Sequence, residues 1–63
     1  MDYQQALLLA MKKERKAFKM YTDLAGSTED AGLQTVCLSL AQEEAKHKLR
    51  FEIEYEDNVL RSW

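Results

Sequence analysis

The sequence predicts an all-α protein: an antiparallel helical hairpin that dimerises into a four-helix bundle. Three observations carry that expectation. Proline is absent from all 63 residues, and Ala, Leu, Glu, Lys and Gln dominate, a composition that favours helix almost throughout. Apolar residues, 46% of the chain, recur at steps of three and four. One break, Ala25-Gly26-Ser27-Thr28-Glu29-Asp30, divides the pattern in two.

The elements follow in chain order. Asp2 with Gln5 three residues later reads as a capping box, so the first helix is expected over about residues 3–25. Gly26 suits a helix C-terminus, where a left-handed backbone is commonly needed, which places the turn at 26–28. Ser27 or Thr28 is the expected cap of the second helix, about residues 29–60, with Glu29 and Asp30 in its positive first turn. Gly32 inside that first turn costs about 1 kcal/mol. Residues 1–63 therefore form a single half-domain, with no linker or repeat.

Alternating steps of four and three trace a stripe of Tyr3, Leu7, Ala10, Glu14, Ala17, Tyr21 and Leu24 on the first helix, widened by Met11, Phe18 and Ala25. On the second helix the same stepping gives Leu33, Cys37, Leu40, Glu44, His47 and Phe51, flanked by Val36, Ala41 and Tyr55. These stripes are wide enough for more than one neighbour, hence the expected dimer. At 1.5 Å per residue the helices run to about 35 and 48 Å, so the second overhangs with Tyr55, Val59, Leu60 and Trp63.

Size and charge narrow the function. A chain this short buries only about 60% of its unfolded surface and needs support from a disulfide, a metal or a partner. A single cysteine makes no internal disulfide, leaving metal or oligomerisation. A net charge of −2 gives no reason to expect nucleic acid, and the longest apolar run, Ala6 to Met11, is far short of a bilayer span. Asp2, with no basic residue ahead of that run, does not read as a secretory signal. A soluble, cytoplasmic helical module is the expectation.

Three polar residues interrupt the stripes: Glu14, Glu44 and His47. A buried carboxylate needs a partner or an ion. Positions 14 and 44 average to 29, inside the proposed turn, so a hairpin folded there brings both carboxylates to one level. His47 lies one turn beyond Glu44 on the same face. Mixed oxygen and nitrogen ligands suit iron, manganese or zinc better than calcium. Three ligands are few for a two-metal site, but a homodimer doubles them to four Glu and two His.

The run from Glu14 through Ala17-Phe18, Tyr21 and Leu24-Ala25 resembles the first helix of rubrerythrin and its ferritin-like relatives. Leu40-Ala41-Gln42-Glu43-Glu44-Ala45-Lys46-His47 resembles their second helix, with its Leu-Ala-x-Glu-Glu-x-x-His run. The resemblance covers about residues 6–51. It implies a ferritin-like four-helix bundle in which Glu14 and Glu44 bridge or chelate a di-iron centre and His47 caps each iron. The doubled ligand set matches the inventory of such bundles. Ferrous oxidation by oxygen, or peroxide reduction, is the implied activity. Full family members carry four helices in one chain. This sequence supplies two and lacks the Cys-x-x-Cys module of many rubrerythrins. Half-length chains of this kind are similar to the encapsulated ferritins, which implies a homodimer or higher homo-oligomer, inside a protein compartment in that branch.

Competing readings stay open at this point. Glu44 and His47 are also what a solvated helix face carries, and Glu14 sits in a run with Lys12, Lys13, Arg15, Lys16 and Lys19. That run reads as a solvated basic face, and Glu52, Glu54, Glu56 and Asp57 as a solubilising patch in which Glu54 could draw ferrous ions inward. Tyr21 reads as core with a satisfied hydroxyl, and Cys37 as a small core residue. The alternatives to a di-iron enzyme are a non-catalytic dimerisation hairpin and a structural zinc site.

Overall fold

The structure, a computed structural model, describes residues 1–61 as two antiparallel helices of equal length. Helix α1 spans Tyr3–Ser27 and helix α2 spans Ala31–Tyr55. A π-helical turn, Glu56–Leu60, continues α2 and is closed by the Arg61 amide donating to the Glu56 carbonyl at 3.0 Å. The hairpin is a thin rod of 49 × 18 × 12 Å. No helix among the described residues is long and apolar enough to cross a membrane.

The start of α1 is the expected capping box. The Gln5 amide donates to Asp2 Oδ1 at 2.7 Å, and the Asp2 amide donates to Gln5 Oε1 at 3.1 Å. Two orphan amides of the first turn are thereby satisfied.

The turn differs from the sequence expectation. Gly26 is not left-handed; α1 runs through it to Ser27, and no glycine has positive φ. The chain leaves at Thr28 in extended conformation, its amide still donating to the Leu24 carbonyl at 3.1 Å. Neither Ser27 nor Thr28 caps α2. Asp30 does, accepting from the Leu33 amide at 2.8 Å, so Glu29 and Asp30 precede the helix instead of lying in its first turn. Ser27 is held within α1, bonded to the Leu24 carbonyl. The Thr28 hydroxyl accepts from the Asp30 amide, and Gln34 Nε2 reaches back to the Ala25 carbonyl at 3.0 Å. These bonds satisfy the turn without a left-handed residue.

The open end fixes the register. Tyr3 donates its hydroxyl to Glu54 Oε2 at 2.7 Å, and Gln4 Nε2 donates to the Tyr55 hydroxyl at 3.3 Å. The start of α1 therefore lies beside the end of α2, and the expected overhang shrinks to the π-helical turn. Tyr55 is half-buried against α1, Val59 is half-buried and Leu60 exposed; Trp63 lies outside the described residues.

The contact between helices is made by small side chains. Leu7, Ala25, Cys37 and Ala41 are the buried core. Three of these four are short enough to let the backbones approach closely. The expected stripes shift accordingly: Ala25 faces inward where Leu24 was expected, and Ala41 replaces Leu40, with Lys48 turned partly inward beside an exposed His47. Leu24, Leu33 and Leu40 remain exposed, among fourteen large apolar side chains so placed in the described residues. The accessible surface is 4930 Å², against about 4,200 Å² for a globular chain of this mass. The single hairpin leaves open the faces that the expected dimer covers.

Candidate metal centre

Glu14 comes from the middle of α1, and Glu44 and His47 from the middle of α2. Helical spacing fixes their juxtaposition. Glu44 and His47 are three residues apart and so lie on adjacent turns of one side. The register set by Tyr3 and Glu54 brings position 14 level with position 44.

The three side chains meet. Each offers one ligand atom, and these atoms all lie within 4.8 Å of one another. His47 Nδ1 stands 3.6 Å from Glu14 Oε2 and 4.0 Å from Glu44 Oε2. Neither approach is a hydrogen bond, because N–H···O contacts close at about 2.7–3.2 Å. The carboxylates are mostly enclosed, at 17% and 21% side-chain exposure, whereas His47 is half exposed.

Glu14 Oε2 is buried and has no hydrogen-bond partner in the structure. An acceptor left in that state costs about 1–3 kcal/mol. The alternative reading of Glu14, a helix salt bridge within its basic run, is not realised: no Lys or Arg pairs with it among the described residues.

The donor set fits a transition-metal ion. Oxygen and imidazole nitrogen donors sit about 2.0–2.2 Å from such an ion, so two donors on one ion are about 3–4 Å apart. Both approaches of His47 fall in that window, and a small inward movement of the carboxylates would close the rest. Two carboxylates with one imidazole is chemistry for iron, manganese or zinc.

His47 also lines a groove of about 500 Å³ with Arg50, Phe51, Ile53 and Glu54. The pocket's place was not legible from the ligand spacing, although Glu54 continues the same side of α2. Glu54 is occupied there, accepting from Asn58 Nδ2 at 2.9 Å and from the Tyr3 hydroxyl, and the bond from Tyr3 holds that hydroxyl above its ordinary pKa. Tyr21 is half-buried, but its hydroxyl has no hydrogen bond among the described residues, unlike the satisfied core tyrosine expected. Cys37 is buried and free, as a small core residue.

No protein-family model, curated protein or solved structure matches this chain.

Proposed function

We propose that Glu14, Glu44 and His47 hold iron, and that two hairpins pair to join two such sets into a di-iron centre with ferroxidase or peroxide-reducing activity. The observation that carries this reading is the buried, unpartnered Glu14 Oε2 facing a second carboxylate and an imidazole across a gap the size of a cation. A structure maintained by hydrogen bonding alone would close that gap.

Pairing is part of the proposal because three donors are too few for two metals. Leu33, Leu40 and His47 recur at seven-residue spacing on one side of α2, and Ala10, Ala17 and Leu24 do so beside Glu14 on α1. The apolar side chains Leu24, Leu33 and Leu40 thus run from the ligands toward the turn and are exposed in the single hairpin. The surface excess of about 700 Å² over a globular chain is close to the roughly 800 Å² that each partner buries in a standard interface.

The chain's own residues have distinct tasks in this reading. Glu14 and Glu44, both mostly enclosed, neutralise cationic charge and bridge or chelate. His47 contributes Nδ1, the nitrogen that faces both carboxylates, and caps. Ligation requires the unprotonated imidazole, so acid releases the metal. The exposed side of His47 and its adjoining groove leave a path for a small oxidant. When bound, iron supplies redox chemistry toward oxygen or peroxide. Ferrous iron is the substrate in the ferroxidase case.

The test is metal analysis of protein purified without chelators, followed by near-ultraviolet spectra and peroxide consumption after addition of ferrous iron and air. Two irons per dimer, with binding lost in Glu44→Ala and His47→Ala, support the proposal. An intact dimer that takes up no metal identifies a dimerisation hairpin instead, and tightly held zinc without redox activity identifies a structural site. Either result overturns the proposal.

A further inference from the structure

We propose that the groove beside His47 binds an aliphatic monocarboxylate, with the Arg50 guanidinium as its charge partner and Phe51 and Ile53 as the wall for its chain. The groove holds about 500 Å³ and is lined by His47, Arg50, Phe51, Ile53 and Glu54. That volume lies within the roughly 300–1,000 Å³ of small-molecule sites, which combine apolar walls with a few placed polar groups. From His47 to Glu54 it follows two turns of α2, about 10 Å, the reach of a medium-length alkyl chain.

The cation in this groove is unclaimed. Arg50 and Glu54 are four residues apart, a spacing at which opposite charges on a helix commonly pair, although the order with the acid second is the weaker one. Glu54 Oε2 accepts instead from the Tyr3 hydroxyl at 2.7 Å and from Asn58 Nδ2 at 2.9 Å. Lys46, one turn before Arg50, is held by Glu43 at 3.3 Å. Arg50 is exposed and has no ion pair or hydrogen bond among the described residues. The bond that fastens the open end of the hairpin thus also leaves a guanidinium free, and its planar fork matches a carboxylate with two parallel bonds.

Charge and shape set the class of ligand. One guanidinium, with the Glu54 carboxylate at the far end of the groove, suits a single negative charge; a phosphate dianion would meet one cation and a like charge. Phe51 is half-buried and Ile53 is 50% exposed, so both offer apolar surface for a chain to cover. The occupant lies against the exposed side of His47 and narrows the path of the oxidant. This consequence rests on the metal reading, whereas the binding itself does not.

The experiment is a titration of the metal-free protein, in chelator, with octanoate, hexanoate and octan-1-ol, followed by amide shifts in nuclear magnetic resonance. Octanoate shifts residues 47–54 and saturates below about 5 mM. Hexanoate binds about fourfold more weakly, because an open groove half-shields the two further methylenes. Arg50→Gln weakens octanoate about fivefold or more and leaves octan-1-ol unchanged. Ile53→Ser weakens both, and circular dichroism confirms that each variant stays helical. A response without saturation, one equal in Arg50→Gln, or one centred on Lys12 to Lys19 of α1 would each overturn the proposal. So would inorganic phosphate that shifts the same residues at lower concentration than octanoate. In the iron-loaded protein octanoate slows peroxide consumption in the wild type and not in Arg50→Gln; an unchanged rate with the groove filled overturns the effect on access. A chain that takes up no iron still reports on the groove, since the titration contains no metal.

Discussion

Replacing Glu14 with Met should make the metal-free protein more stable while abolishing its response to metal. Glu14 is 17% exposed, and its Oε2 is buried without a hydrogen bond. The imidazole of His47 stands 3.6 Å away, outside hydrogen-bonding range. Removing an unsatisfied buried acceptor recovers about 1–3 kcal/mol, and Met keeps the length of the side chain without a charge. For a chain of this size each 1 kcal/mol moves Tm by about 4–8 °C. In the presence of metal at a thousandfold its Kd, the wild type gains about 4.1 kcal/mol that the variant cannot. The order of stability therefore inverts between chelator and metal. Thermal melts at one fixed chain concentration, in each condition, read both effects. A Glu14→Met protein that melts below the wild type in chelator, or that still rises with metal, would refute the reasoning.

Three further outcomes follow from the geometry. Gly26→Ala should raise stability by about 0.5–1 kcal/mol in chemical denaturation, since Gly26 is helical, lacks positive φ and has no atom within 4 Å of an added Cβ. Asp2→Ala removes the carboxylate that accepts from the Gln5 amide and should cost about 1 kcal/mol, read as a lower Tm and loss of helix signal at the α1 start. The Tyr3 pKa lies above 10.0 because its hydroxyl donates to Glu54. The stability this bond adds is complete below about pH 10 and is lost as pH rises through the raised value. Spectrophotometric titration should show that tyrosine returning to the ordinary range in Glu54→Gln.

The sequence carried the coarse architecture because its signals were local or symmetric. Asp2 and Gln5 announce a helix start by chemistry that needs no tertiary context, and the mean of positions 14 and 44 places the fold point at 29. The level pairing of Tyr3 with Glu54 agrees with that register. The details that escaped are those decided by competition between equivalent choices. Ser27, Thr28 and Asp30 are all good N-caps, and only the chain path shows that Asp30 reaches the Leu33 amide. Leu24 and Ala25, or Leu40 and Ala41, fit a stepping pattern equally well. Close approach of two backbones selects the smaller member of each pair and turns the leucine outward. The same shift leaves His47 at the edge of the contact and draws Lys48 partly inward. Glu14 was legible as an anomaly, a lone acid among cations on an apolar stripe. Its unpartnered oxygen appears only once both helices are in place.

The most direct test of the metal centre is a ferrous titration under exclusion of oxygen, followed by calorimetry or equilibrium dialysis, in the wild type and His47→Ala. Saturation at one iron per chain, absent in the variant, is the predicted result. Ferrous ions that bind without saturation, or equally in both proteins, would contradict a site built from Glu14, Glu44 and His47.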